Sequence, residues 1–291
     1  MAAALVLPAG LLVAALLVGP MLYLGRISLN RYDPAQMMIE AFTPENYLRA
    51  VADPYYRNVM ATTLVMALTC TALTLILGFP AGYWIARMQS RWKSLVTVLT
   101  LVPLLVGNVV RVAGWVGLLG NEGFVNVALQ ALRITSEPVK ILYTPGAVVL
   151  GTIAVVLPYM VLTLAAVIES IPRAVEEAAA NLGASAATVF RRVVWPLALP
   201  GVAAGCTLVF ILCMNTFATA VLLGGSQFKM MAPAVYDQFS KGSNWPFGAA
   251  LAFILLVATL TLTLLGSAAL GRRGRPAASP EGGGRVAGAG A

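Results

Sequence analysis

The chain has 291 residues, 59% of them hydrophobic and only 10% charged, with 19 basic against 11 acidic side chains, a net charge of +8 and a mean hydropathy of +0.86. A soluble protein of this length would be far more polar, and the positive charge is scattered between long apolar runs rather than gathered into a nucleic-acid-binding patch. Uncharged stretches cover residues 1–25, 58–86, 94–110, 141–168, 193–228 and 242–271. Most exceed the roughly 20 residues that cross a bilayer core. The sequence predicts an all-α, polytopic membrane protein with six transmembrane helices.

Span one is expected over residues 5–24, followed by an external loop to residue 57 in which Asp33-Pro34, Thr43-Pro44 and Asp53-Pro54 signal turns or helix starts. Span two, at 59–85, carries Gly78 and Gly82 four residues apart, a spacing that permits close helix approach, with Pro80 between them as a kink. Arg87, Arg91 and Lys93 then make a short basic loop whose expected role is topological anchoring. Span three, at 95–119, contains Arg111, a cation inside an apolar run. A charge in hydrocarbon must face the protein interior or water, so Arg111 and nearby Trp115 are candidates for lining a solute path or gate; the alternative is that Arg111 snorkels to the outer interface. An external segment with an amphipathic stretch at 125–132 leads to span four at 145–168.

Residues 176–196 form the longest polar-bearing interruption between apolar runs that still reads as helix. Ala-rich sequence up to Leu182 favours helix, Gly183 can take the left-handed conformation that ends one, and residues 184–192 read as a second short helix stopped by Pro196. The product is a helix-Gly-helix elbow, with Ala178 and Ala179 allowing a close approach and Leu182 and Phe190 as apolar knobs for a partner groove. An amphipathic surface helix is the plainer alternative. Span five, at 197–223, places Asn215 in its outer half, as a helix–helix bond or a path lining. An external segment with Asp237 precedes span six at 246–270, and residues 272–291 are expected to be a disordered tail.

With the N-terminus inside, the inner loops hold Arg87, Arg91, Lys93, Arg173, Arg191, Arg192, Arg272, Arg273, Arg275 and Arg285 against Glu169, Glu176, Glu177 and Glu281, most of the positive excess. The positive-inside rule thus favours cytoplasmic N- and C-termini. Span one disagrees, having Arg26 after it and no basic residue before it. A longer basic leader reconciles the two, and a cleaved signal peptide is the rival reading. Cys70, Cys206 and Cys213 all fall inside spans and read as packing, and the chain has no histidine.

Glu177-Ala178-Ala179, three residues, Gly183, nine residues, Val193, and then Trp195-Pro196 resemble the EAA loop of the membrane subunits of ABC-type importers, with Trp195 where leucine is usual. Residues 42–47 resemble the corresponding loop of many importer permeases, and further likenesses point to the spermidine/putrescine permeases among them: Pro103 with Arg111, Trp115, Gly123 and Asn126, Gly224-Gly225, Tyr236 with Gln238-Phe239, and residues 244–250. The resemblance implies a type I importer permease fold, with residues 1–57 as first helix and external loop, 58–271 as the permease domain and 174–196 as its cytoplasmic coupling elbow. It implies that Glu177, Ala178, Ala179, Leu182, Gly183, Phe190 and Pro196 engage a cytoplasmic ATPase dimer, and that a second, different permease subunit and an external solute-binding protein complete the machine. It also implies residence in the bacterial inner membrane, amid lipid and without nucleic acid.

The chain has no Gly-x-x-x-x-Gly-Lys-Ser/Thr loop, Gly-x-Ser-x-Gly elbow or His-Glu-x-x-His pair. It is therefore expected to be no enzyme, to bind no cofactor or metal, and to leave ATP to a partner. A polyamine is the first expected solute, with Trp115, Asp237 and Trp245 as groups for a polycation, Arg111 repelling it unless paired, and Asn215 as a further path candidate; iron(III), an opine or a phosphonate would suit the same machinery. A passive channel or scaffold would share the spans and need no elbow.

Overall fold

A computed structural model describes residues 2–226 and 228–273, and these are helical with short connections. The helices are α1 (Ala2–Ser28), α2 (Glu45–Ala52), α3 (Pro54–Arg87), α4 (Lys93–Leu105), α5 (Asn108–Leu119), α6 (Phe124–Ala131) and α7 (Pro145–Glu169). They continue as α8 (Arg173–Asn181), α9 (Ala186–Val189), a π turn (Phe190–Val194), α10 (Trp195–Met214), α11 (Ala218–Gly224), α12 (Met231–Ser240) and α13 (Trp245–Arg273). Among the described residues, six helical stretches are long and apolar enough to cross a membrane: Gly10–Ser28, Pro54–Arg87, Asn108–Ala131, Pro145–Glu169, Ala186–Met214 and Trp245–Ala268.

Helix starts follow from local chemistry. Asp53 caps α3 by accepting from the Tyr55 amide at 2.9 Å with Pro54 in the first turn, and Thr144 caps α7 by accepting from the Ala147 amide at 3.2 Å ahead of Pro145. In the loop between α1 and α2, buried Asn46 donates to the carbonyls of Ser28 and Asn30, both at 2.8 Å, and fastens α2 against the end of α1.

The bundle is organised around α7, which packs on α3 along one side and α10 along another. Met160, Leu164 and Ile168 of α7 are fully buried in this seam, with Met214, Leu223, Phe247 and Leu251 from the surrounding helices. The Gly78/Gly82 spacing does permit the close approach expected of it: a Cβ at Gly82 would lie 3.0 Å from the Val161 carbonyl oxygen and 3.0 Å from the Leu164 Cβ. Small residues bring membrane helices into dispersion contact where hydrophobicity alone supplies no drive.

Two expected spans are not single helices. Span three, expected as one helix over 95–119, is split at Val106-Gly107 into α4 and α5; Pro103 removes one helical hydrogen bond and Gly107 sits extended at ψ 139. Span five, expected over 197–223, breaks at Asn215, whose Nδ2 donates back to the Ile211 carbonyl at 2.9 Å while the Thr216 hydroxyl donates to that of Leu212 at 3.3 Å. These side chains compete with the backbone for carbonyls at the end of α10. Nor does Pro196 stop the elbow's second helix. The Trp195 amide donates to the Phe190 carbonyl, five residues back, and this π turn lets Pro196, which has no N–H to donate, stand inside a continuing helix. Residues Ala186–Met214 therefore run as one rod. At the other end of the chain α13 continues through Arg273, and the rest of the expected disordered tail, 274–291, lies outside the described residues.

Candidate functional site: an exposed elbow and a cavity between two helix breaks

At one end of the bundle, α8 leaves α7 and turns at Leu182-Gly183 into the rod that begins with α9. Gly183 has φ +85 with open space where a Cβ would stand, so glycine is required there for its backbone and not for room. The Gly183 amide donates to the Ala180 carbonyl at 2.9 Å and that of Ala184 to the Ala179 carbonyl at 3.2 Å, closing the helix end; Ser185 then caps α9 toward Thr188. Glu177 and Ala178 are exposed, Ala179 is half-buried, and Leu182 is 89% exposed. The elbow presents one long apolar side chain with nothing of this chain against it.

Phe190 faces the other way. Its ring lies 5.4 Å from that of Phe79 on α3, edge to face, and Trp195 packs 5.2 Å from the same Phe79, so these aromatics seat the root of the rod on α3. Pro196 sits just beyond, at the start of α10.

The inner face of α8 carries an ion pair that sequence reasoning missed. Glu176 pairs with Arg87 at the end of α3, and Tyr83 donates its hydroxyl to Glu176 Oε2 at 2.9 Å. Arg87 Nη1 also donates to the Ile171 carbonyl at 3.1 Å, and the Arg173 guanidinium donates to the Arg87 carbonyl. The side chains of Arg87 and Glu176 are only 14% and 16% exposed. Arg87 is thus more than a topological anchor. An outer pair, Lys93 with Glu169 at 2.7 Å, ties the start of α4 to the end of α7 and is more exposed.

Deeper in the bundle the two helix breaks meet. A cavity of about 430 Å³ lies between α5, α7 and the α10–α11 break, lined by Asn108, Arg111, Val155, Tyr159, Ile211, Asn215, Thr216 and Phe217 among others. The Arg111 guanidinium donates to the Val106 carbonyl at 3.1 Å, freed by the break, and to the Val155 carbonyl on α7 at 3.3 Å; its Nε is buried without a partner. Among the described residues no carboxylate lines this cavity. Arg111 and Asn215, candidates from the sequence, are brought together here. Trp115, one turn along α5, is half-buried against the core and does not line it.

Asp237 belongs to a second cavity, of about 640 Å³, at the end of the bundle away from the elbow. It pairs with Lys241 at 2.8 Å and Lys229 at 3.6 Å, and Lys140, Tyr143 and Tyr236 complete the polar wall. The hydrogen bond and charge of Asp237 push the pKa of exposed Lys241 upward. Phe217 lines both cavities, its ring 5.0 Å from that of Tyr236, and was not singled out from the sequence because an apolar residue in an apolar run carries no signal.

Comparison with known proteins adds the context. The spermidine/putrescine transport system permease protein PotB of Escherichia coli (strain K12) is 35% identical over 225 residues, 77% of this chain and 82% of that protein. Its counterpart in Haemophilus influenzae is 32% identical over 82% of this chain and 83% of that protein. A molybdenum transport system permease, ModB of Mycobacterium bovis, is 29% identical over 74% and 80%. Among solved structures, a bacterial alginate ABC transporter in complex with an alginate-bound periplasmic protein shares the fold with a TM-score of 0.74 over 94% of each chain at 19% identity. The MetNI methionine ABC transporter matches with a TM-score of 0.56 over 77% of this chain and all of that one, at 16% identity. Residues 75–273 match the family described as the binding-protein-dependent transport system inner membrane component, so the elbow, both helix breaks and the cavity between them all lie inside the matched region, and the chain belongs to that family.

Proposed function

We propose that this chain is one of two membrane subunits of an ABC importer, and that it moves a polyamine of the spermidine/putrescine kind across the bacterial inner membrane. The solute is argued from the 35% identity with permeases named for spermidine and putrescine, against 29% with one named for molybdenum. The observation that carries the machinery is the elbow: Leu182, 89% exposed at a glycine-set bend, with Glu177 beside it, is a preformed plug for a groove on another protein. On this reading that protein is a cytoplasmic ATPase dimer, which binds the ATP this chain does not. A second, non-identical permease subunit supplies the other elbow, and an external solute-binding protein delivers to the end bearing Asp237. The elbow end carries Arg87, Arg91, Lys93, Arg173, Arg191 and Arg192, which supports a cytoplasmic elbow and cytoplasmic termini.

In the mechanism, ATP-driven closure of the ATPase dimer moves the elbow, and the rod from Ala186 to Met214 carries that movement to the α10–α11 break at the cavity wall. Opening alternates between the Asp237 end and the elbow end. A second reading is an anionic solute such as a phosphonate, favoured by Arg111 in a cavity without carboxylates and by Lys140, Lys229 and Lys241 around Asp237. The complex co-purified with its ATPase and binding protein and placed in lipid vesicles distinguishes them. Spermidine-stimulated ATP hydrolysis with uptake supports the first, stimulation by a phosphonate alone supports the second, and uptake that proceeds without ATP removes both in favour of a channel.

A further inference from the structure

Adjacent acidic residues on one helix point about 100° apart. On α8 this sends Glu177 outward, exposed and without an ion pair among the described residues, and Glu176 inward onto Arg87. α8 rests on α9 and the π turn, and its tie to α3 runs through side chains: Glu176 to Arg87 and Tyr83, Arg87 to the Ile171 carbonyl, and Arg173 to the Arg87 carbonyl. Two positive and one negative side chain thereby join the first turn of the elbow to the last turn of span two.

Resting on the importer reading above, we propose that Glu176, held by Arg87 and Tyr83, is the positioning residue that passes the elbow's movement into α3, while Glu177 is left to the partner ATPase. The physical reason is burial. An exposed pair such as Lys93–Glu169 lengthens through solvent at little cost, so it transmits no force. A pair whose members are 14% and 16% exposed leaves an uncompensated charge when it parts, so α3 follows α8. The elbow then drives two rods at once: its own continuation into α10, and α3 through the ion pair.

The test uses the whole importer with its ATPase in lipid vesicles, reading ATPase retention, ATP hydrolysis and solute moved per ATP. Glu176→Gln is expected to retain the ATPase and hydrolyse ATP while solute moved per ATP falls about tenfold, within the range of ordinary coupling effects. Glu177→Gln is expected to lose ATPase instead. The exchanged pair Arg87→Glu with Glu176→Arg should recover most of the solute per ATP that Arg87→Glu alone loses, which a contact acting through packing alone would not do. Where these variants do not assemble, Tyr83→Phe keeps ring and ion pair and decides: a drop of about fivefold in solute per ATP supports the proposal, at the low end of such couplings. Unchanged solute per ATP in Glu176→Gln, or in Tyr83→Phe, overturns it. Failure of the importer reading looks different, because the unmodified complex would then show no ATP-linked uptake.

Discussion

Two arginines on successive spans are held in opposite ways. Arg87, at the elbow, meets a carbonyl and a carboxylate that itself accepts from the Tyr83 phenol, in a nearly closed pocket; Arg111, in the cavity between the helix breaks, meets only the carbonyls of Val106 and Val155, and each guanidinium keeps a buried Nε unpaired. A full opposite charge fixes a cation in place, whereas backbone carbonyls offer partial charges that other donors can share. The elbow is therefore built as a joint that stays made, and the cavity as a wall whose polar contacts are neutral and replaceable.

Substitutions separate these two designs. The largest effect is expected for Arg87→Ala, which strands Glu176 without its counter-charge: about 3 kcal/mol or more of stability lost, read by thermal unfolding in lipid or detergent. An unchanged midpoint would erase the contrast. Arg111→Met, of similar length, gives up two hydrogen bonds to carbonyls, one long at 3.3 Å and the other exposed, so together they count as about one charge-assisted bond and should cost about 1.5 kcal/mol in the same assay while changing which solutes stimulate ATP hydrolysis. A loss as large as at Arg87 would make Arg111 a structural clamp instead. Gly183→Ala forces a Cβ onto φ +85 and should cost about 1 kcal/mol, with weaker ATPase retention from the misdirected bend. Leu182→Ala changes a side chain that touches nothing in this chain, so its stability effect should stay below about 0.5 kcal/mol while ATPase retention falls. A stability loss there would mean that the elbow tip is packed rather than presented.

What the sequence disclosed divides along the same line. The elbow was legible because its information is local: alanines and a glycine within about a dozen residues set helix, bend and helix. Its mechanical tie was not, because Glu176 and Arg87 lie 89 residues apart and each looks like an ordinary loop charge. The number of spans was legible from apolar length, but the breaks at Val106-Gly107 and Asn215 were hidden inside continuous apolar runs, where hydropathy is blind to backbone direction. Arg111 and Asn215 were singled out as polar groups in apolar surroundings. That the two would face one cavity depends on those hidden breaks. Pro196 was assigned to the wrong end of a helix, since proline is accepted after one helix and in the first turn of the next, and the π turn before it decides between them.

The absence of a stop at Pro196 has a geometric consequence. An unbroken stretch from Ala186 to Met214 spans about 40 Å at 1.5 Å per residue, so pivoting its elbow end by about three degrees displaces its tip by about 2 Å. That tip is Asn215, and a shift of that size is comparable to a hydrogen-bond length. A pivot that small at the elbow end is enough to make or break hydrogen bonds in the wall of the cavity at the far end of the rod.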